Sequence, residues 1–151
     1  GAGSAHDADS PARPALAGRG LAGALRAALA DAGVAAADVG YVNAHAPGTR
    51  ANDPGESAAY VATFGRRGVP VSSTKAALGH AQGGANALEA AACVLALRHG
   101  VLPPTVGVTP DDGLGLDVVH GAPRPAELSL AVSTASAMGG GNVVIVLRAA
   151  P

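Results

Sequence analysis

VPVSSTKAALGHAQGGANALEAAACVLALRHGVLPPT, residues 69–105, is the stretch whose pattern decides the fold class. It opens on a short apolar run, Val69 to Ser72, that ends in the polar loop SSTK and reads as a strand. From Gly83 to Arg98 the chain then turns helical: GGANALEAAACVLALRHG is almost uncharged, apolar on nearly every face, and stopped by Arg98, His99 and Gly100 and by Pro103 and Pro104 beyond them. A helix that is apolar all round is expected to be buried. A strand that feeds through a polar loop into a buried helix is a building unit of layered α/β domains.

Working outward, Leu21, Leu25 and Leu29 recur at helical spacing between about Gly18 and Asp31, and Gly33 is placed to end that helix. Val39 to Ala44 reads as a buried strand. It leads into the loop HAPGT, after which Asp53, Pro54 and Glu56 form an acidic first turn of a helix over about Pro54 to Phe64. Leu114 to Val119, Leu128 to Ser133 and Asn142 to Leu147 read as strands. The last two flank the small-residue loop TASAMGGG and are expected to pair antiparallel. The opening GAGSAHDADSPARPALAG reads as a loop. The order of helix, strand, helix, strand, helix and then strands predicts one α/β domain over residues 1–151, a mixed sheet with helices packed on it.

Composition excludes several function classes. The chain has 151 residues, 14% charged, with a net charge of −1, which fits neither a disordered polyelectrolyte nor a nucleic-acid-binding surface. Aromatic residues supply 2%, so the core must be built from Ala, Val and Leu, with 37 Ala in all. No apolar run reaches the length of a membrane helix, and no secretory signal is evident at the start, so no membrane association and a cytoplasmic location are expected. The one cysteine, Cys93, excludes a disulfide framework and a Cys-rich metal site, and no metal or cofactor is expected. Nine of the ten basic residues are Arg, and Lys75 is the only lysine. Its retention suggests a task that Arg cannot perform.

Three polar features fall where strands end: His45 in NAHAPGT, Lys75 with His80 in SSTKAALGH, and the glycines after Met138. Active sites of open α/β sheets gather at such strand ends. Two imidazoles, one ammonium and a nearby helix N-terminus suit the stabilisation of negative charge on a carbonyl oxygen. Each feature alone has a bland reading: a hydrogen-bonding histidine, a solvated lysine, a glycine turn. Cys93 lies in mid-helix, away from any positive helix end, and reads as an inert core residue. His6, His99 and His120 read as structural.

NAHAPGT followed by NDPGE, the block from Val69 to Thr105, and STASAMGGGN together resemble the C-terminal half of a β-ketoacyl synthase of the acyl-carrier-protein-dependent fatty acid or polyketide type. The resemblance covers essentially the whole chain. It implies the thiolase-like fold, in which two similar α/β halves make a five-layer αβαβα body, so this chain would be one half. It also implies decarboxylative Claisen condensation by a Cys-His-His set. His45 and His80 match the two histidines that donate hydrogen bonds to the malonyl thioester oxygen, and Lys75 matches the lysine behind them. Glu89 matches the acid of that charge network and is, with Met138 and Thr49, a supporting residue.

The implied partners are an acyl carrier protein with its acyl and malonyl groups and an N-terminal half or homologous subunit, in a dimer. The nucleophilic cysteine belongs to the N-terminal half of the family, so the chain is expected to be inactive alone.

Three departures stand out. Ala46 and Pro47 precede Gly48 and Thr49 where the family has Gly-Thr-Gly-Thr, which removes one flexible residue and one hydroxyl. Met138 takes the position of a gating phenylalanine. Asn86 puts a polar side chain on the apolar helix, where it is expected to need a partner. The two loop changes favour an alternative in which the chain is a non-catalytic partner resembling a chain-length factor.

Overall fold

The computed structural model describes residues 1–109 and 113–150. Its elements, in order, are β1 (Ala2–His6), α1 (Arg19–Ala32), β2 (Tyr41–Asn43), α2 (Asp53–Phe64), β3 (Pro70–Ser72), α3 (Lys75–Leu78), α4 (Ala85–His99), β4 (Val101–Leu102), β5 (Asp117–Val118), β6 (Arg124–Pro125), β7 (Leu130–Ser136) and β8 (Gly141–Arg148). Six strands form one mixed sheet in the order β1-β8-β7-β2-β3-β5, and β4 pairs with β6 separately. The pairs β7–β2, β2–β3 and β3–β5 are parallel, whereas β8 runs antiparallel to both β7 and β1.

Strand alternation divides the core in two. Tyr41 and Ala131 point to one face of the sheet and pack with Cys93 and Ala96 of α4. Their neighbours Val42 and Val132 point to the other and pack with Leu21, Leu25 and Leu29 of α1 and with Tyr60 of α2. The leucine triplet is buried, as its spacing predicts, and each fully covered side chain contributes about 1.5–3 kcal/mol. Gly33 ends α1 in the left-handed conformation and donates its N–H to Ala30.

Three expectations are corrected. The opening residues 2–6 are a strand rather than a loop, paired with β8 from Ala2 opposite Ile145 to His6 opposite Gly141. A run of Ala, Gly and Ser has little β-propensity, but small side chains let this edge strand lie directly on α1. A Cβ at Gly3 would stand 2.3 Å from the Ala28 nitrogen and 2.4 Å from the Ala24 oxygen. The helical block does not start at Gly83: α3 and a 3-10 turn at Gln82–Gly84 come first, and α4 begins at Ala85. Nor is α4 buried all round. Glu89, Cys93 and Ala96 face the sheet, while Leu88, Val94 and Leu95 on the outer side are 45%, 51% and 54% exposed. Apolar residues around a helix need cover on both sides, and among the described residues only the sheet side is covered. Asn86 lies on the exposed part and needs no internal partner.

Two outcomes follow. Gly3→Ala should lower stability by about 1–3 kcal/mol through overpacking, read from the urea midpoint, with Gly141→Ala, whose added carbon meets nothing, within about 0.5 kcal/mol of the parent. The chain alone should elute in size exclusion above its 14.4 kDa and bind an apolar dye, and Leu95→Glu should reduce both. Elution as a monomer without dye binding contradicts an uncovered apolar face.

Candidate active site

Because β7, β2 and β3 run parallel, their C-terminal ends lie at one edge of the sheet and deliver three loops to the same place. His45 follows β2 by two residues, Lys75 follows β3 by three, and Met138 follows β7 by two. His45, His80 and Met138 line a cleft of about 600 Å3. Glu56, Lys75 and His80 line a second cavity of about 360 Å3.

Lys75 is buried, and its ammonium makes an ion pair with the buried Glu89 while lying 3.3 Å from Nδ1 of His45. An ammonium only donates, so Nδ1 of His45 accepts and the ring hydrogen sits on Nε2. The remaining face of the imidazole is therefore a hydrogen-bond donor. His45 is buried and His80 exposed, with their ring centroids 5.4 Å apart in an edge-on arrangement at 82°. Burial, together with the charge of Lys75 and the adjacent His80, lowers the pKa of His45 to about 4, so the ring is neutral at neutral pH. Burial raises the pKa of Glu89, and the bond and charge of Lys75 oppose that rise. Removing one partner of such a buried pair costs about 3–5 kcal/mol, because the other charge is left alone.

Supporting residues behave differently. Thr49 is exposed, and its hydroxyl and carbonyl oxygens each accept the Asn52 N–H at 3.2 Å, so it shapes the entry to α2. Met138 is 89% exposed on a loop closed by Ala137 N–H to Gly141 O and Gly140 N–H to Ala137 O. Cys93 is fully buried against the sheet, donates to the Val132 carbonyl at 3.6 Å and has its thiol pushed up to about 12 by burial. It is a core residue, as its mid-helix position predicts. His6, His99 and His120 lie exposed, outside the cleft lining. The helix N-terminus expected beside His80 lies further on, at Ala85. Among the described residues, no three of His, Cys, Asp and Glu could hold a metal ion.

One functional group was not anticipated. Glu56 reads in sequence only as part of an acidic first turn; in the structure it is buried and accepts from Ala46 N–H at 2.8 Å, Asn52 Nδ2 at 2.7 Å and Tyr60 Oη at 2.5 Å. The signal for it is spacing: Asn52, Glu56 and Tyr60 are four residues apart and share one face of α2. Burial raises the pKa of Glu56, and its hydrogen bonds from Tyr60, Ala46 and Asn52 oppose the rise.

The sign of the His45 shift yields a pH dependence. Its value in the folded chain lies below the ordinary 6.5, so the unfolded chain takes up the proton first. Stability from this group is complete above pH 6.5 and is lost as pH falls towards about 4, by about 3 kcal/mol in all. An NMR titration should find the His45 ring titrating near pH 4, and Lys75→Met should move that midpoint upward. A midpoint at 6.5 in the parent chain contradicts the burial and the lysine contact.

The family model described as Beta-ketoacyl synthase, C-terminal domain, matches residues 1–109. Nodulation protein E of Rhizobium meliloti is 44% identical over 151 residues, an alignment that takes in 98% of this chain and 37% of that protein. The 3-oxoacyl-[acyl-carrier-protein] synthase 2 of Coxiella burnetii is 39% identical over 97% of this chain and 36% of its own length. A solved structure described as a type II polyketide synthase acyl-carrier protein in complex with its ketosynthase superposes with a TM-score of 0.94 at 31% identity, over 100% of this chain and 38% of that one. The chain thus spans a little over a third of the length of these two relatives. The matched residues and the mixed sheet that carries His45 and Lys75 at its strand ends place this chain in the β-ketoacyl synthase C-terminal domain family, with the thiolase-like fold.

Proposed function

We propose that this chain supplies the charge-stabilising side of a β-ketoacyl synthase site, with His45 and His80 as the two oxyanion donors and Lys75 as the residue that sets the tautomer of His45. The observation that carries this is the contact of the Lys75 ammonium with Nδ1 of His45, 3.3 Å, beside an edge-on second imidazole. In the reaction, the bond from the malonyl α-carbon to its carboxylate breaks and carbon dioxide leaves. The electron pair remains as an enolate, whose charge sits on the thioester oxygen. N–H donors aimed at that oxygen stabilise this state more than the neutral thioester, which is the condition for faster chemistry. The enolate carbon then bonds to the acyl carbon, and the cysteine that carried the acyl group departs as thiolate. Cys93 cannot be that cysteine, so in this reading it comes from an N-terminal half or a homologous subunit.

The same reading takes malonyl and acyl groups from an acyl carrier protein and places the site in a dimer in the cytosol. The α4 face left uncovered by this chain is the surface for the second half of the five-layer body. No helix among the described residues is long and apolar enough to cross a membrane. A second reading, a non-catalytic partner that shapes a pocket, is favoured by two loops: Ala46 is held at φ +21°, and the side chain in the gating position is a thioether rather than a ring.

The chain mixed with its N-terminal half, acyl carrier protein and malonyl carrier protein should release carbon dioxide. His45→Ala and His80→Ala should each reduce decarboxylation by about 100-fold or more, the cost of one oxyanion donor. Unchanged release in both variants, or an N-terminal half with its cysteine replaced, overturns the catalytic reading in favour of the partner.

A further inference from the structure

We infer that Tyr60 is a positioning residue for His45, acting through Thr134 and Glu56. The inference rests on the reading of His45 as an oxyanion donor. The peptide after His45 must turn sharply, and Ala46 takes a positive φ of 21° that an L-residue adopts only under constraint. Three bonds hold the turn. His45 N–H donates to Thr134 Oγ1 at 3.2 Å, Ala46 N–H donates to Glu56 Oε2 at 2.8 Å, and Ser73 Oγ donates to the Ala46 carbonyl at 3.2 Å. The first two converge on Tyr60, whose hydroxyl lies 2.5 Å from Glu56 Oε1 and 2.6 Å from Thr134 Oγ1.

The direction of the bonds follows from counting donors and acceptors. Glu56 Oε2 receives Ala46 N–H and the Asn52 amide, and Oε1 faces the hydroxyls of Tyr60 and Thr134. A carboxyl surrounded by donors acts as acceptor, so Tyr60 gives its proton to Glu56. Thr134 already accepts from His45, and its own proton goes to the Tyr60 oxygen at 2.6 Å in preference to Glu56 Oε1 at 3.3 Å. The result is one oriented run from His45 N–H to Thr134, to Tyr60, to Glu56, among buried groups where aligned bonds strengthen one another. Tyr60 is 1% exposed, and its hydroxyl keeps both of these partners.

The consequence reaches the ring of His45 although Tyr60 does not touch it. Lys75 approaches from β3 and α3, while the imidazole hangs from the turn after β2, so their 3.3 Å contact holds only while that turn is in place. If the turn relaxes, Nδ1 loses its donor and the Nε2–H form loses its preference.

The test uses Tyr60→Phe, Thr134→Val and Thr134→Ser. With 15N-labelled histidine, Tyr60→Phe should speed exchange of the His45 amide by about tenfold and shift the ring away from the Nε2–H tautomer. Thr134→Val should do the same, the double variant should be no worse than either single one, and Thr134→Ser, which keeps the hydroxyl, should recover parent values. In the synthase assembled with its N-terminal half, Tyr60→Phe should lower kcat for malonyl decarboxylation about tenfold with KM within about twofold. Parent-like exchange, tautomer and kcat in Tyr60→Phe overturn the inference, as do strictly additive losses in the double variant. If Tyr60→Phe does not fold, the two Thr134 variants decide. If the assembled parent releases no carbon dioxide, the condensing reading fails while the ring and amide measurements still judge the positioning.

Discussion

The buried ammonium of Lys75 ties together parts of the chain that are far apart in sequence: the end of β2 through His45, its own position at the start of α3, and the sheet-facing side of α4 through Glu89. A lone positive charge in that place would be costly, and a lone carboxylate equally so. Glu89 therefore makes Lys75 tolerable, and Lys75 makes a neutral, oriented His45 available. A guanidinium has the same charge but a wide, planar donor fork, which does not fit between one carboxylate oxygen and one imidazole nitrogen. This is a physical reason for one lysine in a chain that otherwise uses arginine.

The sheet makes this contact possible. Parallel pairing of β7, β2 and β3 sends three loops to one edge, and the strict alternation of strand side chains sends Tyr41 towards α4 and Val42 towards α1 and α2. The site thus stands on a two-sided core of small residues. Below it, α2 contributes a second polar layer, where Glu56 holds the backbone of the His45 loop by accepting from Ala46. Two buried carboxyls thereby serve one imidazole, Glu89 by way of its ring partner and Glu56 by way of its main chain.

Much of the arrangement was legible in the residues. His45, Lys75, His80 and Glu89 sit in motifs with fixed spacing, and the structure brings these four together. The helices were readable because leucine and alanine periodicity is local, and Cys93 was readable as inert because a mid-helix apolar context is local too. Glu56 stands in the acidic first turn that the sequence predicts, but its burial was not readable there, because it depends on the approach of the His45 loop. The strand at residues 2–6 escaped notice for a related reason: its formation depends on β8 and on the close fit of Gly3 against α1.

By itself, then, the sequence determined the order of the long helices and the central strands, the family, the identity of the polar residues at the strand ends, and the inert, mid-helix place of Cys93. These depend on neighbours within a few positions, where side-chain period, capping and helix dipole act. Only the tertiary structure decided that His45 is a neutral donor, that Tyr60 and Thr134 meet on Glu56, and that α4 keeps an apolar face towards solvent. Each of these turns on desolvation or on contact between residues up to 89 positions apart, as His45 and Thr134 are. Such effects arise when the chain closes on itself, and no local pattern carries them.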